Sequence, residues 1–324
     1  MSLERIMLSK KAQDQHQDLM DVLNQFNVVT GNETLFDDVK LIGTNVLSRT
    51  AVLAGKGITE LNNLFTVGTR KAMVKFGTNR QAISVLSRDV PKRELKEEVV
   101  LPASFVNNVT SEGDLGTVID DTRTLSQTLD LLVRHLNDID AYLKQQLGYV
   151  KDIGNVRTND QGVALIQKYD KLSYPALQLP IHANFIASSH PLPGGKILTY
   201  DDKRHVYSMS GKKPHGEAQP YPAQLDTVGW LRAVNGVNDH LQRLIKYMYE
   251  YNTFVKNWAS AVKSAYPHLE REDNLSESVS KQLERMLDGN VNIMQLYSGL
   301  LPRLIGYTDK YIQDVLGSVN KLLN

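Results

Sequence analysis

Apolar residues recur every three or four positions along most of this 324-residue chain, and one stretch breaks that rhythm. The series Leu125, Leu129, Leu132, Leu136, Ile139, Leu143 and Leu147 advances by 4, 3, 4, 3, 4 and 4 residues. That is the a/d seam of a helical hairpin or coiled-coil-like bundle, and it predicts a helix from about Leu115 to Leu147, with Gly148 offering a stop. A second series, Val228, Leu231, Val234, Val237, Leu241, Leu244, Met248, Tyr251, Val255, Trp258 and Val262, predicts a helix over 225–262, weakened only at Gly229 and Gly236. Shorter helices are expected over 161–172, ended by Tyr174-Pro175, and over 275–288, with Val279, Leu283 and Met286 inward and a turn at Asp288-Gly289-Asn290. Ile305, Ile312, Val315, Val319 and Leu322 should close the bundle, with Pro302 and Gly306 kinking or splitting that last element.

Towards the N-terminus, Leu19, Met20, Val22, Leu23 and Phe26 share one helical face, which ends near Thr30-Gly31-Asn32. Residues 36–76 read as helix again. A glycine inside a helix costs about 1 kcal/mol relative to alanine, so a break near Gly55-Lys56-Gly57 is expected. Arg49, Lys56 and Glu60 are the sole charges between Leu41 and Thr69, which makes this segment core or contact surface, burial being the commoner fate of such faces.

The break in the rhythm lies at 181–222, which holds four of the eight histidines and five of the eleven prolines. Gly194–Tyr200, Asp201–Lys203 and Arg204–Gly211 read as strand, turn and strand. An isolated hairpin is marginal in water, so this one must lie on the helices or pair with another chain. Upstream, the charged run Asp89–Glu98 marks a connector, and Val99-Val100-Leu101 followed by Phe105-Val106 reads as extended, with Pro102 barring a central strand. The fold expected is mainly α: two bundle-like helical lobes with a small β-hairpin insertion. Its regions are an N-terminal helical region 1–88, a connector and Leu-seamed helical hairpin 89–180, the β-hairpin and loop insertion 181–222, and a C-terminal bundle 223–324.

Composition narrows the chemistry. With 37 basic and 36 acidic residues the formal charge is +1, so the whole molecule offers no field for nucleic acid or an anionic membrane. The absence of cysteine removes disulfides, thiolate nucleophiles and thiolate-held metals, and suits a reducing compartment or a particle assembled in one. The first twenty residues lack the apolar core of a secretory signal, and no uncharged apolar run approaches the roughly 20 residues that span a bilayer. Synthesis in the cytosol is expected. Fourteen tyrosines against seven phenylalanines suit surfaces that are apolar over the ring and wet at the hydroxyl.

Each constellation that suggests catalysis fails on spacing. His182, His190, His205 and His215 contain no HxxxH, HExxH or HxH arrangement. Gly55-Lys56 and Gly195-Lys196 each miss a phosphate-loop signature twice, at the first glycine and at the hydroxyl that would hold magnesium. Asp120-Asp121 are helix neighbours that point apart in a first turn favouring acid, and Asp201-Asp202 is turn chemistry. No serine-nucleophile motif is present. Lys203, Arg204, His205, Tyr207, Lys212 and Lys213 form the most basic small cluster, an interaction surface able to touch phosphates but lacking an interleaved aromatic ladder.

Three segments carry a resemblance. VVLPASFVNNV at Val99–Val109, GDLGTVIDD at Gly113–Asp121 and LPGGKILTY at Leu192–Tyr200, set among Leu-seamed helices, resemble internal head or inner-body structural proteins of large tailed bacteriophages. The resemblance implies a non-enzymatic virion protein, internal to the head or delivered with the genome, found in the virion and in the host cytoplasm before assembly or after delivery. It implies other virion proteins or self-association as partners, with DNA reached at most through the basic loop, no small-molecule substrate, and no catalytic, cofactor or metal residue. Maturation cleavage in such proteins follows a small residue, any residue and glutamate, a pattern that Gly31-Asn32-Glu33 matches loosely. Two other readings stay open: a metal- or nucleotide-dependent enzyme sited around His190, Asp201, Asp202, Lys203 and His205, and a nucleic-acid-binding protein using Lys203, Arg204, Lys212 and Lys213.

Overall fold

The two apolar seams become the two longest helices of a computed structural model that describes residues 56–92, 99–170, 185–187, 191–201, 206–222, 224–271, 275–286 and 296–323. The fold is mainly α with a small β insertion. The expected N-terminal helix, residues 36–55, most of the charged run after Lys92, and the Asp288-Gly289-Asn290 turn lie outside the described residues. The helices are α1 Lys56–Asp89, α2 Ala103–Val109, α3 Val118–Ile153, α4 Asn159–Asp170, α5 Thr227–Arg271, α6 Glu277–Met286 and α7 Leu301–Leu323.

Local chemistry explains where these helices start and where expectation and structure part. Asp226 caps α5: its carboxylate accepts from the Gly229 amide at 2.8 Å and its carbonyl from the Trp230 amide at 2.8 Å. A Cβ at position 229 would collide with that carboxylate, so the glycine that weakened the sequence reading is what lets the cap close. Gly148 does not stop α3, which runs on to Ile153 because Tyr149, Val150 and Ile153 extend the buried stripe and repay the glycine's modest cost. Neither Pro302 nor Gly306 splits α7. Pro302 stands at the second position of α7, directly after a π-helical turn at Leu296–Leu300, so the irregularity falls at that junction and Leu301–Leu323 runs on as one helix.

The β insertion is larger than a hairpin. Strands β2 (Phe185–Ala187), β3 (Ile197–Asp201) and β4 (Val206–Ser210) form an antiparallel sheet in the order β2-β3-β4, and β1 (Val100–Leu101) pairs with β5 (Gln219–Pro220). Asp201, assigned to the turn from sequence, ends β3, because its backbone lies opposite Phe185 on one side and Val206 on the other. Two-sided pairing outweighs the turn preference of aspartate. Val100-Leu101 is extended as expected, but Phe105-Val106 is not: Pro102, at φ −68° and ψ 151°, caps α2, and both residues are buried on that helix.

The chain divides into two compact units. One comprises Met1–Gly68, Asn137–Pro175 and Met248–Gly299. Its core draws on Ile139, Leu143, Val150 and Ile153 from α3, Tyr251, Val255, Trp258 and Val262 from α5, and Val279 and Leu283 from α6. Tyr251 stacks on Tyr297 with ring centroids 4.1 Å apart and planes 9° from parallel. Gly162 of α4 admits Val279 of α6 so closely that a Cβ there would meet the valine methyl at 2.5 Å, and the Asn159 side chain accepts from the Ser276 amide at 2.7 Å just before α6.

The other unit comprises Thr69–Leu136, Ala176–Tyr247 and Leu300–Asn324. Leu125, Leu129, Leu132 and Leu136 of α3 are buried there with Trp230, Leu231, Val234, Val237 and Leu241 of α5 and Leu304, Ile312, Val315 and Val319 of α7. In this apolar setting the Thr122 hydroxyl serves three groups. It donates to the Val118 carbonyl at 2.6 Å, accepts the Trp230 indole N–H at 3.1 Å and accepts the Tyr311 hydroxyl at 2.5 Å. One donor and two acceptor positions are all that a hydroxyl has. A second polar tie joins α1 to α7: Asp309, buried, takes Lys75 at 2.9 Å and Asn79 at 3.0 Å, and Gln313 donates to Asn79.

Two outcomes follow from these buried hydroxyls. Thr122→Val keeps the shape but strands the donors of Trp230 and Tyr311, and should lower the unfolding free energy by about 2–4 kcal/mol in urea titrations, while Thr122→Ser should recover most of the loss. Burial pushes the Tyr311 phenol up to about 12 against the help of Thr122 and Trp230, and the Tyr221 phenol up to about 12 despite its bond to Thr227. Burial raises Tyr251 and Tyr307 as well. The folded chain therefore holds phenolic protons that the unfolded chain releases near pH ~10. Stability from these groups is complete below about pH 10 and should be lost as pH climbs from about 10 through about 12, which urea midpoints across that range will measure.

Candidate functional site

The three segments that carry the resemblance come together in one unit as a hydrogen-bonded knot at the base of the β insertion. Leu192, Pro193, Gly194, Gly195 and Lys196 close a tight loop in which the Leu192 amide donates to the Lys196 carbonyl at 2.6 Å and the Lys196 amide returns a bond at 3.1 Å. Gly194 and Gly195 sit at φ +73° and +64°, a region that side chains disfavour. The loop packs on α2, with the Gly194 amide donating to the Thr110 carbonyl at 2.8 Å. From α7 the Tyr307 hydroxyl donates to the Pro193 carbonyl at 2.8 Å, and the Asn108 amide reaches Asp314 at 3.1 Å.

Side-chain amides satisfy the irregular backbone that follows. Asn107 is buried and exchanges two bonds with Gly216, donating to its carbonyl at 2.9 Å and accepting its amide at 2.6 Å. Gln219 donates to the Gly113 carbonyl at 2.6 Å and accepts the Leu115 amide at 3.0 Å. Gly113, at φ +89°, lies so near Gly216 that a Cβ would stand 2.7 Å from the Gly216 Cα. Asp121 gathers the other side of the loop, accepting from the Ser111 amide at 2.9 Å, the Ser111 hydroxyl at 2.7 Å and the Thr117 hydroxyl at 2.9 Å. Its neighbour Asp120 points to solvent and pairs with Arg123 at 2.8 Å, so the adjacent aspartates do separate onto opposite sides of the helix.

What the knot presents to solvent is the segment 211–217. Lys212 and Lys213 are exposed, as are His215 and Glu217. Lys203, Arg204 and His205 lie outside the described residues, as do His182, His190 and Asp202, and the Tyr207 and Asp201 side chains are likewise undescribed, although their backbones form β4 and β3. Lys213 is near enough to Asp314 to stabilise its charge, together with Lys310, although burial holds that carboxyl above its usual range. Asp314 thus offsets part of the charge of Lys213.

Elsewhere in the same unit, α1 and α5 flank a groove of about 370 Å³ lined by Arg80, Ile83, Ser84, Ser87, Leu231, Arg232 and Asn235. In the other unit a groove of about 350 Å³ is lined by Val150, Lys151 and Gly154 against small residues of α5 from Asn257 to Ala265. Among the described residues no group of three or more histidines, aspartates or glutamates stands close enough to hold a metal ion, and no helix is long and apolar enough to cross a membrane. Sequence reasoning missed Asn107 and Gln219, since nothing in their spacing distinguishes a buried amide clamp from a polar loop. It missed Arg80 and Arg232 because they lie 152 positions apart on separate helices.

No family model, curated protein or solved structure matches this chain.

Gly195 and Gly211 face one another across the base of β3 and β4, and a Cβ at either would collide with backbone carbonyl, at Lys212 or at Gly195 respectively. Gly211 also sits at φ +120°. Gly195→Ala and Gly211→Ala should each lower the unfolding free energy by about 2 kcal/mol or more, measured in urea. The internal comparison is Gly77→Ala in α1, where no atom lies within 4 Å of the added methyl, and which should raise it by up to about 1 kcal/mol.

Proposed function

We propose that this chain is a non-enzymatic structural and interaction protein of a large tailed-phage virion, internal to the head or delivered with the genome. The observation that carries the reading is the knot itself. Two of the segments with the inner-body resemblance meet directly, the Leu192–Tyr200 loop packing on α2, and the residues between and beyond them tie in the third, through Gly194 with Thr110, Asp121 with Ser111, and Gln219 with Gly113 and Leu115. Their joint product is a fixed loop on a helical scaffold, and rigidly supported surface loops are where proteins concentrate recognition. The mixed charge of that loop, with Glu217 exposed beside Lys212 and Lys213 and Asp314 near Lys213, favours a protein partner or self-association over nucleic acid, whose phosphates call for one sign of charge.

Purified virions, separated from lysate on a density gradient and analysed by mass spectrometry, should contain the chain in constant ratio to the capsid protein. Its presence in infected-cell lysate with none in the particle overturns the reading.

A further inference from the structure

The groove between α1 and α5 brings two arginines of separate helices to one place. Arg80, Ser84 and Ser87 are spaced by four and three residues and so share one face of α1, and Arg232 and Asn235 are three apart on α5. Ile83 and Leu231, 3% and 0% exposed, form its floor. Both guanidiniums are exposed, and among the described residues neither has a hydrogen bond or an ion pair, although most charged side chains on α3 close by in sequence order pair with a neighbour, as Arg123 does with Asp120 and Arg134 with Asp130. Among the described residues no acidic side chain lines the groove. One turn beyond Asn235, Asn238 is fully buried, and neither its carbonyl nor its amide has a partner among the described residues.

From this arrangement we propose that the α1–α5 groove binds a phosphate group. Two arginines, two serines and an asparagine line it, which together hold a larger donor set than the two oxygens of a carboxylate can use. A phosphate monoester carries three acceptor oxygens and close to two negative charges at neutral pH, which match two arginines that have no counter-ion among the described residues. The groove, of about 370 Å³, falls within the range of ligand clefts, roughly 300–1,000 Å³, and so has room for a phosphate together with the group that bears it. The phosphate can belong to a free phosphorylated small molecule, whose monoester uses the full donor set, or to a nucleic-acid backbone, whose diester offers two non-bridging oxygens and one charge to the same arginines. This assignment is independent of the virion reading and rests on residues away from the knot.

The test uses the full chain with inorganic phosphate and with a single-stranded oligonucleotide, in parallel with Arg80→Gln and Arg232→Gln. At ionic strength matched with chloride, phosphate should raise the thermal midpoint of the wild type and bind measurably by titration calorimetry, and each variant should lose about tenfold in affinity. Arg80→Lys, which keeps the charge and loses the fork, should fall between. Circular dichroism and the unliganded midpoint confirm that each exposed substitution leaves the fold intact. Oligonucleotide binding that the variants weaken identifies a nucleic-acid backbone as the source, whereas phosphate binding without oligonucleotide binding identifies a free phosphorylated molecule. Equal phosphate affinity in wild type and both glutamine variants, or no phosphate effect beyond chloride, overturns the proposal.

Discussion

A single hydroxyl ties three helices of one unit together. Thr122 on α3 takes the indole of Trp230 from α5 and the phenol of Tyr311 from α7 while its own proton goes to the Val118 carbonyl. All three side chains are buried, so none of these groups has water to fall back on. The apolar stripes on either side bring the helices together without choosing one rotation or register, whereas this node is satisfied in only one arrangement. The Lys75, Asn79 and Asp309 cluster does the same for α1 against α7. Packing supplies most of the stabilising free energy, and these few polar ties make the arrangement unique.

The same logic governs the irregular half of that unit. From Thr110 to Thr117, from Leu192 to Lys196 and from Gly211 to Ala218 the chain has little regular pairing, and its backbone amides and carbonyls still require partners. Asn107 and Gln219 act as portable pieces of backbone, each offering one donor and one acceptor in the geometry a strand would offer. Asp121 supplies acceptors alone, and accordingly meets three donors. Glycines stand where two backbones touch, at 113 against 216 and at 195 against 211.

The helices were legible because their signal is periodic and redundant. Seven apolar positions in α3 and eleven in α5 repeat the same statement, and one glycine at 148 or 229 does not contradict it. The ends were less legible, because they depend on local detail: the buried stripe beyond Gly148, the Asp226 cap, and the π-helical turn that meets α7 just before Pro302. The hairpin was visible as turn chemistry between two apolar strands, but β2 was not, since Phe185–Ala187 is too short to show alternation and is defined by pairing with β3. The amide clamps and the arginine groove had no local signature at all. They arise when residues more than a hundred positions apart meet, which periodicity along one chain does not encode.

The distribution of the two tryptophans has a practical meaning. Trp230 is fully buried in the unit built around Thr122, and Trp258 is 7% exposed in the unit that contains Tyr251 and Tyr297. Each unit thus carries its own intrinsic fluorophore, and no cysteine is present to complicate site-specific labelling. A chain with Trp258 replaced by phenylalanine emits from the Thr122 node alone, and one with Trp230 replaced emits from the tyrosine-stacked unit alone. The molecule is therefore furnished with two separate optical readouts, through which the order in which its halves lose structure can be followed without adding a label.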